Sequence, residues 1–118
     1  MSSAKETIDW YLHNYSAGEF LERYKHLEVV AGVEDLDASY SFSYVGVFYD
    51  PKADAYLVGT TSGCSCPSPW EYDTSEMSEY LSKSEVMSKF RRVLDSQYGR
   101  WGAGHVIDAV NAINAHRV

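Results

Sequence analysis

Cys64 and Cys66 stand two residues apart in Gly63-Cys-Ser-Cys-Pro-Ser-Pro-Trp-Glu71, a stretch that also holds two of the chain's three prolines. A disulfide between them is hard to close, because in an extended segment their side chains point to opposite faces and the Cβ atoms lie too far apart. As thiolates they could hold zinc, with two of His13, His26, His105 and His116, or a carboxylate, completing a tetrahedron. The spacing speaks weakly for it: structural zinc sites more often have two to four residues between paired ligands, where here only Ser65 intervenes, and no second pair of ligands lies nearby in the sequence. A nucleophilic cysteine would need a base such as His105 and an oxyanion site, both supplied by folding. Acid–base work by carboxylates has no better support, since the run Glu34-Asp-Leu-Asp37 has the composition of a solvated turn. The remaining reading is structural. Pro67 and Pro69 fix their own φ and push Cys66 and Ser68 out of the helical region. The result is a stiff arm, entered by a bend at Gly63, in which the cysteines pack as small apolar groups and Trp70 is carried onto a sheet edge or into a groove. Exposed instead, Trp70 and Glu71 would anchor a partner. No catalytic residue and no cofactor is therefore expected, with zinc at Cys64 and Cys66 as the alternative.

The elements that must position this loop come from periodicity. Ser3 and Glu6 have capping-box spacing, and Ile8, Tyr11, Leu12 and Tyr15 recur at helical intervals, which predicts an amphipathic helix over residues 4–15. A second helical stretch, about 18–26, aligns Phe20, Leu21, Tyr24 and Leu27. Leu27 to Ala31 is a short strand candidate, followed by an acidic turn from Gly32 to Asp37. Tyr40 to Tyr49 alternates, with Tyr40, Phe42, Tyr44 and Phe48 on one face and Val45, Val47 and Tyr49 on the other. Asp50-Pro-Lys-Ala-Asp54 supplies a turn, with Pro fixing φ and Asp able to bond back to nearby backbone, and Ala55 to Thr61 resumes the β pattern. The hairpin 40–61 places Gly46 and Gly59 where they can oppose each other, at a bulge or a close approach by another backbone or an aromatic ring.

Downstream, Asp73 with Glu76 and Ser82 with Glu85 have capping-box spacing. They predict a short helix lined by Met77, Tyr80 and Leu81 and a longer one over 83–98 lined by Val86, Phe90, Val93, Leu94 and Gln97. A glycine-rich break at 99–104 precedes a last helix, about 104–116, burying Val106, Ile107, Val110 and Ile113 and leaving Asp108, Asn111, Asn114 and His116 to water. The expected fold is α+β: a small antiparallel sheet of about three strands around the central hairpin, covered by N-terminal and C-terminal helices, in one domain over 1–118.

Composition narrows the partners. With 45% hydrophobic residues and ten tyrosines among 118 positions the chain has the material for a packed core. Residues 1–82 carry 4 Lys/Arg against 14 Asp/Glu, net −10; residues 83–118 carry 6 against 3, net +3. An acidic body disfavours nucleic acid and anionic lipid, whose capture depends on Lys and Arg displacing counterions. Lys83, Lys89, Arg91, Arg92 and Arg100 cluster around the 83–98 helix, as a solvated face or as a small basic patch for a phosphate or an acidic partner. No run approaches a membrane span and no apolar segment follows Met1, so the expectation is a soluble, unexported protein with reduced thiols in a cytoplasm.

The motif Gly63-Cys-Ser-Cys-Pro-Ser-Pro-Trp-Glu71, preceded by the aromatic hairpin, resembles a family of uncharacterised small proteins encoded by phages of actinobacteria. In those proteins a similar Gly-Cys-Ser-Cys-Pro-x-Pro-aromatic-acidic motif follows two β-strands. The resemblance covers about residues 27–73 and brings no activity with it. It implies a protein made during phage growth and acting in the host cytoplasm. Small acidic phage proteins often bind a host protein, and tyrosine suits such a surface by giving large contact area at low entropic cost. The expected function is thus an accessory protein that binds or inhibits a host protein. The alternatives are a zinc or cysteine-dependent protein and a subunit of a phage assembly, the last forming a homo-oligomer.

Overall fold

β-Branched and aromatic residues dominate Ser41 to Cys64, and in the computed structural model they form the hairpin at the centre of the fold. The structure describes residues 4–14, 24–35, 41–64, 76–96 and 101–116. Its elements in chain order are helix α1 (Ala4–Asn14), strands β1 (Glu28–Glu34), β2 (Ser41–Asp50), β3 (Ala55–Cys64) and β4 (Glu76–Met77), and helices α2 (Lys83–Ser96) and α3 (Ala103–Ala115). The α+β expectation holds: the strands make one antiparallel sheet in the order β1-β2-β3-β4, the fourth contributing only two residues.

Helices cover both faces. Ile8 and Leu12 of α1, one helical turn apart, pack with Leu27, Val29, Phe48 and Leu57 on one side. Val86, Phe90 and Leu94 of α2 and Ala109 and Ile113 of α3 pack on the other side against Val33, Val45, Val47 and Val58. Burial on both faces is why β2 runs from Val45 to Asp50 without an exposed position.

A row of glycines crosses the sheet beneath α1. Gly32 pairs with Gly46, and Gly46 with Gly59. A side chain at Gly32 would collide with Ile8 and crowd the Lys5 backbone, and at Gly46 or Gly59 it would strike the ring of Phe48. The missing side chains let α1 and an aromatic ring lie close to the backbone. The opposition of Gly46 and Gly59 thus marks an aromatic close approach rather than a bulge. The bulge lies in β1, where the register shifts between Val29 and Ala31.

That bulge corrects the reading of residues 27–37. Val29 packs on the α1 face, Val30 and Ala31 both on the opposite face, and Gly32 returns beneath α1. The strand therefore continues to Glu34, where an acidic turn from Gly32 was expected. The short helix expected after Asp73 is corrected too: Glu76 and Met77 are β4, paired with Thr60 and Gly59, and Leu81 bridges to Tyr56. The helix expected over 18–26 lies largely outside the described residues; Tyr24 enters a turn closed by the Leu27 N–H on its carbonyl.

Helix α2 begins as its capping box dictates. The Glu85 N–H donates to Ser82 Oγ at 3.2 Å and the Ser82 N–H to Glu85 Oε1 at 2.9 Å, which holds the Glu85 carboxyl below its ordinary range. Past its other end, Trp101 Nε1 donates to the Leu94 carbonyl. In α3 the buried residues are Ala109 and Ile113. Ile107 is exposed and His116 is half-buried, the reverse of the expectation for those two side chains, because α3 is rolled so that its small residues face β1.

Candidate functional site

Of the motif loop, the structure describes the backbone of Gly63 and Cys64, which end β3 opposite Phe42 and Ser41. Cys66, Pro67, Pro69, Trp70 and Glu71 lie outside the described residues. The described residues place the four histidines relative to the Cys64 backbone. His26 and His116 are bound to Asp50 and Tyr56, at the turn end of the hairpin. Eight residues of strand separate Tyr56 from Cys64, roughly 26 Å at ~3.3 Å per residue, too far for either imidazole to share an ion with that thiol. His13 is held one turn back on its own helix, its Nδ1 2.9 Å from the Asp9 carbonyl. His105 is exposed at the other side of the sheet, near β1. Among the described residues no three His, Cys, Asp or Glu side chains are grouped to hold a metal ion.

The turn end of the hairpin carries two polar clusters, one on each face. On the α1 face, Asp50 is buried, with its carboxylate fully engaged. Oδ1 accepts the N–H groups of Lys52 (2.9 Å) and Ala53 (3.3 Å), and Oδ2 accepts His26 Nε2–H (3.0 Å) and the Tyr80 hydroxyl (2.8 Å). Burial alone would raise its pKa, but the bonds from His26, Tyr80 and the two backbone donors win and pull it down to about 2. Asp50 thus ties the turn and the segments at His26 and Tyr80 to one point.

On the other face, His116 Nε2–H donates to Glu28 Oε1 at 3.1 Å, and in that tautomer its Nδ1 accepts the Tyr56 hydroxyl at 2.8 Å. Tyr49 stacks at a tilt on both rings and donates to Asp54 Oδ1 at 2.6 Å. That bond, with burial and the Asp54 charge, pushes the Tyr49 phenol up to about 12. Lys83 Nζ donates to the carbonyls of Asn114 and His116, so a cation closes the C-terminal end of α3. Carboxylate, imidazole and hydroxyl in line is an arrangement that can activate a nucleophile. Here Tyr56 is only 6% exposed, and its hydroxyl is engaged inside the core. The arrangement braces α3 against β1 and β3.

The surface feature of a different kind lies along β1. Between the first turn of α1 and α3, which flank the sheet on opposite faces, runs an open groove of about 230 Å³. Its floor is β1 from Val30 to Gly32; its walls are Ala4 and Lys5 on one side and His105, Asp108 and Ala112 on the other. Small side chains make the room, and among the described residues that line it the charged side chains are Lys5 and Asp108, with His105 beside them. Two other hollows border the far side of the sheet: about 300 Å³ between β4 and α2, and about 280 Å³ beside Tyr24 and Tyr80. Both border β3 where Glu76 to Leu81 already pair with its edge.

Sequence reasoning missed the groove and both clusters. Nothing local marks them, since Glu28 and His116 lie 88 positions apart and His26 and Asp50 lie 24 apart.

A family model described as a domain of unknown function, DUF7574, matches residues 20–117. The chain belongs to that family. The match takes in β1 to β4, α2 and α3, so the DUF7574 domain includes the strand that floors the groove and the helix that forms one wall, while α1 precedes it. It also reaches well beyond residues 27–73, where the motif resemblance rests. Searches of curated proteins and of solved structures returned no match. Among the described residues no helix is long and apolar enough to cross a membrane.

Proposed function

We propose that this protein is a small accessory protein of a phage that binds a host protein in the host cytoplasm, and that the groove along β1 is where it binds. The observation that carries the reading is the contrast between two kinds of polar and apolar surface. The histidines and the polar groups of the two clusters are engaged with one another, with Asp50 and Tyr56 buried, whereas the groove is open, lined largely by small apolar side chains and floored by the edge of a sheet. Such clefts with few polar groups at the rim are suited to capturing a partner's side chains and excluding water from them. The acidic charge of residues 1–82 favours a partner with basic residues and speaks against nucleic acid. In this reading Cys64 and Cys66 have a packing role.

Replacement of Ala112 by Trp fills the groove from its α3 wall, and replacement of Ala53 by Trp adds the same bulk at the exposed hairpin turn. Tagged protein expressed in an actinobacterial host should retain a stoichiometric host protein when wild type or Ala53→Trp, and lose it when Ala112→Trp. Equal retention by all three would remove the groove from the account. Light scattering of the purified chain at micromolar concentration is expected to show a monomer; a stable homo-oligomer would favour an assembly subunit instead.

A further inference from the structure

β1 is an outer strand of the described sheet, paired with β2 on one side only. The Asp35 N–H donates to the Ser43 carbonyl at 3.0 Å, which fixes the phase of this antiparallel ladder. Hydrogen-bonded and non-hydrogen-bonded pairs alternate, so Val33/Val45 and Ala31/Val47 exchange bonds with β2. The N–H and C=O of Gly32 and Glu34 therefore point outward, away from β2, and those of Gly32 open onto the groove. Among the described residues no backbone hydrogen bond from α1 or α3 reaches these outward groups. A row of outward strand groups at the bottom of an apolar groove is a template for another strand.

We infer that the groove takes an extended segment of the bound protein as an added strand on β1, apolar at its centre and carrying Lys or Arg on both sides. This rests on the protein-binding reading above and specifies its mode and partner. The apolar centre follows from the small side chains around Ala31, Gly32 and Ala112, which leave volume for alternate side chains of the added strand. The basic flanks follow from charge: Glu34 and, beside its bond with His116, Glu28 bracket β1, both exposed, with Asp35 beyond and Asp108 on the wall, against Lys5 as the one Lys or Arg among the described residues that line the groove. The same charges argue against a second copy of this chain. A second copy would bring the same acidic residues, Glu34 and Asp35, up to this edge with no basic flank to offset them. The bulge at Val30 interrupts the edge, so pairing is confined to the stretch from Ala31 to Glu34 and the recognised segment is short.

The test uses the full chain, isotope-labelled, and two synthetic peptides with the same valine–threonine centre, one flanked by lysine pairs and one by glutamate pairs. The lysine-flanked peptide should bind at least about tenfold more tightly and slow amide exchange at Gly32 and Glu34 by about tenfold or more. Glu34→Pro removes one outward N–H together with a flanking charge and leaves the ladder to β2 untouched, so it is read against Glu34→Gln, which loses the charge alone; edge strands accept proline in that orientation. It should weaken binding by about tenfold while circular dichroism stays unchanged. Binding that leaves both amides exchanging freely would overturn strand addition and leave the protein-binding reading in place. Equal binding of the two peptides, or of neither, would overturn the partner chemistry, while retention of a host protein by the tagged chain tests the broader reading separately.

Discussion

Gly46 lies directly opposite Gly59 across β2 and β3, and the ring of Phe48 occupies the space their missing side chains leave. A Cβ on Gly59 would come within 2.7 Å of Phe48 Cε2 and 2.9 Å of Met77 Sδ; on Gly46 the nearest contact would be 3.0 Å, to Phe48 Cζ. Phe48 is buried between the sheet and α1 and has little room to move. Gly59→Ala is expected to destabilise the fold by about 1–3 kcal/mol and Gly46→Ala by less, measured by urea unfolding. Gly104→Ala is the contrast: nothing lies within 4 Å of its Cβ, and the change should stabilise α3 by about 0.5 kcal/mol.

Acid should undo the Asp50 hub. Its folded pKa, about 2, lies below the ordinary value of 3.8, so the folded state favours the ionised carboxylate. The corresponding stability is fully present above about pH 4 to 5 and fades as pH falls toward 2. Wild type should therefore lose stability over that interval more steeply than Asp50→Asn, which carries no charge to protonate. At neutral pH Asp50→Ala should cost about 2–4 kcal/mol, since it strands the donors of His26, Tyr80, Lys52 and Ala53.

Alkali should act at Tyr49. With its phenol raised to about 12 by the bond to Asp54, the neutral form is favoured on folding. Its contribution is intact below about pH 10 and is lost as pH climbs through 12. Ultraviolet titration should show a late-ionising tyrosine that is absent in Tyr49→Phe and shifted to lower pH in Asp54→Asn.

Replacing both Cys64 and Cys66 by serine separates the thiol readings from the groove. Native mass spectrometry of protein purified without chelator, with and without reductant, is expected to give the mass of a reduced, metal-free chain, and the double variant should still retain the host partner. Bound zinc that disappears in the double variant would restore a metal role for the loop.

The parts of the fold legible in the sequence were those fixed by neighbours. The hairpin was readable because its alternation and turn residues are contiguous, and the start of α2 because Ser82 and Glu85 satisfy each other within one turn. β4 was not. Asp73 and Glu76 have helix-start spacing and Met77, Tyr80 and Leu81 a helical rhythm, but the free edge of β3 takes Glu76 and Met77 as strand partners, a tertiary demand that overrides local preference. The extension of β1 was hidden because a bulge breaks the alternation that would have announced it. The candidate groove left no trace, since alanines and a glycine drawn from α1, β1 and α3 signal nothing until the fold brings them together.

The most direct test of the account places a photo-crosslinking amino acid at His105, on the groove wall, and separately at Arg91, exposed on α2, in protein expressed in an actinobacterial host. Irradiation should join the position-105 variant to one discrete host protein through an extended, basic-flanked segment, and leave the position-91 variant unlinked. Adducts formed equally from both positions, or from position 91 alone, would contradict a binding site at the edge of β1.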